Sequence, residues 1–198
     1  MRKTLFGIIF PFILGHSITT LAAEKKVTPK APVLETATLA AGCFWGVEEF
    51  YRKIPGVVET QVGYAGGAKE KPAYKDVAAG ITGHAESLEL KFDPSKVTYE
   101  ELLVWFFKFH DPTTKNRQGN DVGSQYRSAI FYHSDAQKAV AEKVMAKVEK
   151  SKAWKAKLST ELSPAPKFYP AEPEHQKYLV KNPGGYDNHY LRKISFDN

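Results

Sequence analysis

The chain has a single cysteine, Cys43, among its 198 residues. A lone cysteine excludes an internal disulfide framework and a cysteine-rich metal site, so its thiol is either a buried inert group or a reactive one. At roughly 100–200 residues per domain, this length accommodates one domain with little room for a second. Hydrophobic residues make up 42% and charged residues 25%, which excludes disordered, collagen-like and long coiled-coil proteins.

The sequence also lacks a long uninterrupted hydrophobic run. Residues 5–18 are the most apolar stretch, but two glycines, a proline and a histidine interrupt them, and a membrane span needs about 20 residues. Two basic residues precede this stretch, and Thr20-Leu21-Ala22 follows it as a small-x-small cleavage signal. We therefore expect a cleavable signal peptide over 1–22, rather than an uncleaved anchor, and no stable membrane insertion after cleavage. The protein is then exported, to the periplasm in a Gram-negative cell and otherwise secreted.

There is little excess of charge. The chain carries 28 Lys and Arg against 22 Asp and Glu, and removal of the signal peptide leaves 26 against 22, a net charge of +4. Lys143 and Lys147 share one face of a predicted helix, with Val140 and Val144 on another, which is typical of a solvated face opposite a core face. The sequence lacks a dense basic stripe, so we expect no nucleic-acid partner.

Signatures of bound metals and phosphates are absent as well. No two of the six histidines have close helical ligand spacing, so no metal site is predicted. Residues 63–67 contain glycines but match neither GxxxxGK[ST] nor GxGxxG, the spacings that cradle phosphates. We expect no bound cofactor.

Hydrophobic periodicity and capping signals predict alternating strands and helices. The expected elements are a strand over 35–41, a helix carrying Val47, Phe50, Tyr51 and Ile54 and stopped by Pro55-Gly56, strands over 58–64 and 86–92, a helix from the Thr98–Glu101 capping box to about His110, a strand over 128–133 and a long helix capped by Ser134.

This order predicts an α+β fold of the βαββαβ, ferredoxin-like kind, a two-layer sandwich with helices on one face of a mainly antiparallel sheet. The proline-rich segment 163–173 and the C-terminal tail would wrap the core. Residues 23–34 are expected to be a flexible lead-in, and 35–198 a single catalytic domain.

Cys43 lies in Gly42-Cys43-Phe44-Trp45-Gly46, where the first strand turns into the first helix. Unpaired N–H groups and the positive end of the helix dipole favour a thiolate, and such placement lowers a cysteine pKa to roughly 3.5–7.5. The alternative is a small buried hydrophobic residue, since free cysteines are often buried. The adjacent glycines and the strand-to-helix turn favour a reactive thiol.

Glu86 is the second candidate catalytic residue. In the predicted third strand it shares a face with Leu88 and Leu90, whereas Glu89 and Lys91 point away. A carboxyl group on the apolar face loses hydration, so its pKa rises and it can hold a proton near neutral pH. The alternative is a strand-end residue that reaches solvent. A protonated acid beside a thiolate suits nucleophilic attack with protonation of a departing oxygen.

Aromatic and polar residues complete the candidate site. Phe44 and Trp45, next to the nucleophile, would form an apolar wall for a small alkyl group. Tyr74, Asp121 and Tyr126 lie in loops near strand ends, where polar groups can orient a substrate. Taken alone, these three would be ordinary turn residues.

The motif around Cys43 resembles the signature of the A-type peptide methionine sulfoxide reductases. Three further stretches are similar to that family, in the same order along residues 35–186. They are Gly83-His84-Ala85-Glu86, Gly119-Asn120-Asp121-x-Gly123-x-Gln125-Tyr126-Arg127-Ser128 and His175-Gln176-x-Tyr178-Leu179.

The resemblance implies roles for nine residues and a reaction, reduction of the S epimer of methionine sulfoxide, free or in proteins. Cys43 would be the nucleophile and Glu86 the proton donor to the sulfoxide oxygen. The substrate would be bound by Phe44 and Trp45 at the methyl group, Tyr74 and Tyr126 near the oxygen, Asp121 at the backbone or a water, and Tyr178 and Tyr186 along the wall. We expect a monomer.

One departure concerns regeneration. Members of the family often carry a resolving cysteine just after a Gly-Tyr pair, but here Gly184-Gly185-Tyr186 is followed by Asp187. An external thiol, either a thioredoxin-like protein or a small thiol, is therefore expected as co-substrate.

Two other functions are alternatives to the reductase. A cysteine hydrolase or acyltransferase needs a histidine base facing Cys43, and His84 is a poor candidate because it has the opposite strand parity to Glu86. A secreted binding module could use Phe44 and Trp45 to grip methionines. Hydrolysis of an activated ester would favour the hydrolase, and binding without turnover would favour the module.

Overall fold

A six-stranded sheet lies at the centre of this computed structural model, which describes residue 7 and residues 33–197. The order across the sheet is β7-β6-β1-β3-β2-β8, and every pairing is antiparallel except that of β6 with β7. A separate two-stranded ribbon pairs β4 with β5. The strands are β1 (Glu35–Ala41), β2 (Val57–Ala65), β3 (Ala85–Phe92), β4 (Arg117–Gln118), β5 (Asp121–Val122), β6 (Ser128–Tyr132), β7 (Glu161–Pro164) and β8 (Tyr169–Pro170).

Helices pack on this sheet around the larger of two hydrophobic clusters, which forms the main core. They are α1 (Phe44–Tyr51), α2 (Tyr74–Ala78), α3 (Tyr99–Phe109), α4 (Asp135–Ser151) and α5 (Tyr178–Lys181), with a 3-10 turn at Ser124–Tyr126. The three longest, α1, α3 and α4, all contribute to the core. Thr98 forms the predicted capping box with Glu101, and the side chain of Ser134 caps α4. No described helix is long and apolar enough to cross a bilayer.

The mixed α/β fold with a mainly antiparallel sheet is confirmed. The first helix was predicted too long, because α1 ends at Tyr51 and Ile54 lies in the turn that follows. Pro55 disfavours a helical conformation at the preceding residue, and Gly56 has a φ of 102°, in the left-handed region that favours glycine. The predicted signal peptide over 1–22, apart from residue 7, and residues 23–32 of the lead-in lie outside the described residues.

The proline-rich segment supplies edge strands, which the sequence did not reveal. Together with the two residues before it, this segment forms β7 beside β6 at one edge of the sheet and, further on, β8 beside β2 at the other. The pairing of β7 is parallel, because α4 provides the long crossover that parallel neighbours require.

The register of the central strands determines where the candidate site lies. Since β3 runs antiparallel to β1 and β2, its first residues lie beside the last residues of both, at one end of the sheet. Glu86 pairs with Tyr64 of β2 there, and Cys43 follows two residues after the end of β1. Leu88 and Leu90 point into the helix-side core, as strand parity predicted, and Glu86 shares their face.

Candidate active site

Cys43 is the N-cap residue of α1, and the chain enters this position through Gly42, which has a φ of 95°. The two glycines of the motif allow close packing by other segments. A Cβ atom at Gly42 would collide with the side chain of Gln118, and one at Gly46 with Asp187 and His189. The β1–α1 turn is therefore enclosed by the β4–β5 ribbon and the C-terminal tail, and Cys43 is only 7% exposed.

This burial determines the ionisation of the thiol. Loss of hydration raises the pKa of Cys43 well above its usual value, and the nearby Glu86 carboxylate raises it further. The backbone N–H of Trp45 opposes both effects but is outweighed. The prediction of a lowered Cys43 pKa is therefore wrong for the substrate-free site. The N-terminus of the eight-residue helix α1 stabilises the thiolate less than burial destabilises it.

Glu86 is 2% exposed, as its strand parity predicted. Its Oε2 accepts a hydrogen bond of 3.0 Å from the backbone N–H of Phe44, the residue after the cysteine. Burial raises the pKa of Glu86 to about 8; the Phe44 bond opposes this rise, and the charge of Asp121 adds to it. Glu86 therefore carries a proton in most molecules at neutral pH.

A cluster of aromatic rings lies beside this acid. Trp45 stacks on Tyr178, with ring centroids 3.8 Å apart and planes 12° from parallel, and on His175 at 5.8 Å. Its indole N–H donates a hydrogen bond of 3.2 Å to Nδ1 of His175. The imidazole also contacts Phe44 at 5.6 Å and Tyr74 at 4.2 Å, measured between ring centroids. Such a cluster offers a polarisable, largely apolar surface.

Polar groups form the rest of the site. Burial raises the pKa values of Tyr74 and Tyr126, and the charge of Glu86 raises both further, which shows that both phenols lie near the acid. Tyr186 donates a hydrogen bond of 2.8 Å from its hydroxyl to Oδ1 of Asp121, and burial together with this bond raises the pKa of Tyr186 to about 12. All nine residues singled out in the sequence thus lie in one connected site, while their individual roles stay predictions.

Sequence reasoning missed two buried or half-buried carboxylates that hold this site together. Glu48 is 1% exposed; Oε1 accepts from the Thr60 hydroxyl at 2.9 Å and Oε2 from the Lys177 backbone N–H at 2.6 Å. Glu172 accepts from the Tyr64 hydroxyl at 2.7 Å and from the Tyr74 backbone N–H at 2.9 Å. The position of Glu48, one turn after Phe44 on the buried face of α1, was a usable signal; Glu172, in a proline-rich loop, gave none.

The motif residues His175 and Gln176, for which the sequence predicts no role, both make contacts that support the site. His175 accepts the Trp45 indole bond described above. Gln176 pairs with the edge of β2, since its side-chain amide accepts from the N–H of Val62 at 2.9 Å and donates to the carbonyl oxygen of Val62 at 2.8 Å. This pairing fixes the segment that leads into α5 and Tyr178.

The described histidines do not form a hydrolase triad with the cysteine. The ring nitrogens of His84 contact the Gly67 N–H and the Lys69 carbonyl oxygen, and among the described residues no histidine hydrogen-bonds to Cys43. Within residues 33–197, no group of three or more His, Cys, Asp or Glu residues is arranged to hold a metal ion.

Fold and site together define an α/β enzyme built around one buried cysteine. The family described as "Peptide methionine sulfoxide reductase" matches residues 35–197, so the chain belongs to the peptide methionine sulfoxide reductase family. Relatives named MsrA include one from Nocardia farcinica, 52% identical over 79% of this chain and 89% of its own length, and one from Methanothermobacter thermautotrophicus, 55% identical over 75% and 88%.

Solved structures agree with this assignment. Reduced Mxr1 from Saccharomyces cerevisiae is similar with a TM-score of 0.76 and 45% identity, over 81% of this chain and 93% of that one. Methionine sulfoxide reductase A of Corynebacterium diphtheriae gives 0.71 and 38%, over 83% and 82%. A structure of Mxr1 in complex with Trx2 gives 0.56 and 32%, over 85% and 97%.

Proposed function

We propose that this enzyme reduces the S epimer of methionine sulfoxide, with Cys43 as nucleophile and Glu86 as proton donor. The observation that carries the proposal is the buried carboxyl of Glu86, hydrogen-bonded to the residue next to Cys43 and protonated at neutral pH. A sulfoxide oxygen becomes a competent leaving group only when it is protonated, and a buried acid with a raised pKa supplies that proton.

The reaction transfers two electrons from one sulfur to another. Sγ of Cys43 forms a bond to the sulfoxide sulfur as the oxygen receives a proton from Glu86. The oxygen then leaves the substrate sulfur and ends on Cys43 as the bond between the two sulfurs breaks, and the proton of the Cys43 thiol passes to the Glu86 carboxylate. The products are methionine and a cysteine sulfenic acid, with Glu86 protonated again. With Glu86 neutral, its charge does not oppose formation of the thiolate in the attack.

Substrate binding follows from the surfaces around the thiol. The Trp45–Tyr178–His175 cluster and Phe44 supply an apolar wall for the sulfur-bound methyl group. The Tyr74 and Tyr126 phenols, near Glu86, suit the sulfoxide oxygen, and Asp121 suits a backbone N–H or a water.

The cycle needs an external reductant, because Cys43 is the only cysteine in the chain. Two external thiols would reduce the sulfenic acid to the thiol, forming a disulfide and water. Mxr1, a similar protein, has been solved in complex with Trx2, which supports a thioredoxin-like reductant here. With the predicted signal peptide, the physiological role would be repair of oxidised exported proteins.

We also assign β1, α1, β2, β3, α3 and β6 to the ferredoxin-like arrangement. The antiparallel order β6-β1-β3-β2 and the two helical crossovers support this assignment.

The test is dithiothreitol-supported reduction of the two separated epimers of N-acetyl-methionine sulfoxide amide. Wild type should reduce the S epimer and leave the R epimer, and Cys43→Ser should reduce neither, because a hydroxyl near its free pKa is a weak nucleophile. Lys193→Ala, an exposed change in the tail, serves as the matched control with wild-type rates. Turnover by Cys43→Ser, or equal rates on both epimers by wild type, would overturn the proposal.

A further inference from the structure

The segment Tyr186–His189 occupies the place where the family resemblance puts a resolving cysteine, and here it is tied to the site by side-chain bonds. Tyr186 and Asn188 both bind Asp121, one at each carboxylate oxygen. Neither Asn188 nor His189 has a part in the chemistry proposed above.

Asn188 makes its contacts with one atom. Its Nδ2 donates hydrogen bonds of 2.9 Å to Oδ2 of Asp121 and 2.9 Å to the carbonyl oxygen of Gln118, and it lies 3.2 Å from the hydroxyl oxygen of Tyr186. It therefore links both strands of the β4–β5 ribbon. It binds Oδ2 of the Asp121 carboxylate, whereas Tyr186 binds Oδ1.

The other end of the same amide has no partner. Oδ1 of Asn188 is buried and accepts no hydrogen bond within the described residues. A buried acceptor without a donor is unfavourable, yet turning the amide over would place this oxygen against the carboxylate of Asp121. The side-chain amide of Asn188 is thus oriented so that its nitrogen donates to Asp121, although this leaves its carbonyl oxygen without a donor among the described residues.

Asp187 and His189 lock the segment in place. Oδ1 of Asp187 lies 2.9 Å from both the backbone nitrogen and Nδ1 of His189, and Nε2 of His189 donates to the carbonyl oxygen of Ala41 at 2.7 Å. The His189 side chain is 3% exposed and stacks on Phe109 at 5.0 Å. Because Ala41 ends β1, the lock fastens the tail directly to the strand that leads to Cys43.

We propose that Asn188 is a positioning residue of this enzyme, which holds the Asp121 carboxylate toward the substrate, and that the Asp187–His189 lock keeps Asn188 there. The tail is then a fixed wall of the site. This inference rests on the proposed function, in which Asp121 contacts the substrate. The charge of Asp121 also acts on both reacting groups, since it raises the pKa values of Glu86 and Cys43.

The test is a double-mutant cycle of Asn188→Ala and Asp121→Ala on the steady-state constants for the S epimer. Asn188→Ala should raise KM about tenfold, the lower end of what loss of a hydrogen bond to a charged group causes, with kcat within about twofold. In the Asp121→Ala background the same change should raise KM less than about twofold, because the group it positions is gone. Multiplicative effects of the two changes would overturn the proposal.

A second readout does not involve the sulfoxide at all. Asp121→Ala removes a charge that raises the pKa of Cys43, and Asn188→Ala lets that charge move away. At pH 6, where Glu86 stays protonated, each variant should therefore speed alkylation of Cys43 by iodoacetamide, and the double variant should be no faster than Asp121→Ala. Asp187→Ala should act in the same direction as Asn188→Ala, and Lys193→Ala should match wild type. An unchanged alkylation rate in Asn188→Ala would contradict the inference.

The two readouts separate this inference from the proposed function. Turnover by Cys43→Ser would refute the proposed function. The alkylation rates of Asn188→Ala, Asp121→Ala and the double variant would still test whether Asn188 positions Asp121. Loss of turnover in Cys43→Ser, together with multiplicative effects in the KM cycle, would refute only the role of Asn188.

Discussion

The backbone N–H of Phe44 donates a hydrogen bond of 3.0 Å to Oε2 of Glu86, and this bond connects the candidate acid to the residue that follows the candidate nucleophile. The bond alone would favour an ionised carboxylate, but burial outweighs it and raises the pKa of Glu86 to about 8. At neutral pH one carboxyl oxygen can accept the N–H while the other carries the proton. The same residue is thus held in position and kept able to donate.

Replacing Glu86 should separate these two functions. Glu86→Gln keeps an oxygen to accept the Phe44 N–H but has no acidic proton, so we predict a rate lower by roughly 10²–10⁴ with the fold intact. In wild type the rate should fall as pH rises through about 8, where Glu86 loses its proton. In Glu86→Gln this alkaline limb should be missing. Steady-state rates on the S epimer between pH 6 and 9.5 measure both effects, and wild-type activity of Glu86→Gln at neutral pH would contradict the acid role.

The raised pKa also predicts a dependence of stability on pH. Glu86 titrates at its usual 4.5 in the unfolded chain and at about 8 in the folded protein. The unfolded state therefore loses its proton first, and stability is fully present below pH 4.5 and falls as pH rises toward 8. At roughly 1.4 kcal/mol per pKa unit, the loss amounts to a few kcal/mol. Glu86→Gln should thus melt at a higher temperature than wild type at pH 8, with the difference shrinking toward pH 5; a difference independent of pH would contradict this assignment.

Periodicity and parity were enough to predict much of the fold and both candidate reacting residues. Alternation in β3 placed Glu86 on the buried face, and the capping box at Thr98 gave the start of α3. The ionisation of Cys43 could not be predicted, because its burial depends on the tail and on the β4–β5 ribbon, which are distant in the sequence. For the same reason β7 and β8 were missed, since edge pairing of short proline-rich segments leaves no periodic signal.

Glu48 offers a test of how the aromatic wall is held. It binds the backbone N–H of Lys177, the left-handed N-cap residue just before α5, and so holds Tyr178 on Trp45. Glu48→Ala should release this contact and raise KM several-fold at nearly constant kcat. Glu48→Gln should stay close to wild type, because its oxygen can accept from Lys177 and its amide can donate to the Thr60 hydroxyl.

The control for this prediction is a variant that loses stability away from the site. Val144→Ala removes buried methyl groups from α4 and should lower the melting temperature without altering KM. Steady-state kinetics and thermal melts of the three variants decide the matter. Equal KM values for Glu48→Ala and Val144→Ala would show that Glu48 serves stability alone.

Trp45 should govern the choice between epimers. With the methyl group on the Trp45–Tyr178 stack and the oxygen toward Glu86, only the S epimer presents its sulfur to Cys43. Trp45→Ala should lower kcat/KM for the S epimer and narrow the preference, since one methyl-sized pocket contributes about 1–3 kcal/mol of discrimination. The measurement is the ratio of kcat/KM for the two epimers, with Trp105→Ala, a change on α3, as the control. An unchanged ratio in Trp45→Ala would place the methyl group elsewhere.

The final prediction concerns the oxidised enzyme. One equivalent of S sulfoxide without reductant should release one methionine and leave Cys43 as a sulfenic acid, because the chain has no second cysteine and Asp187 is bound to His189 in the tail. Intact-mass analysis should show a gain of about 16 Da, the mass of one oxygen. Dimedone should label this sulfenic acid, and a small thiol should convert it to a mixed disulfide.

The control is Cys43→Ser, which, treated identically, should keep its mass and release no methionine. A thioredoxin-like protein should restore the starting mass, either from the sulfenic acid or from the mixed disulfide. A disulfide between the Cys43 residues of two enzyme molecules as the obligatory product would contradict this cycle. The Cys43 side chain is only 7% exposed, so a small sulfoxide or an accessible thiol can reach it, but two such buried cysteines cannot reach each other.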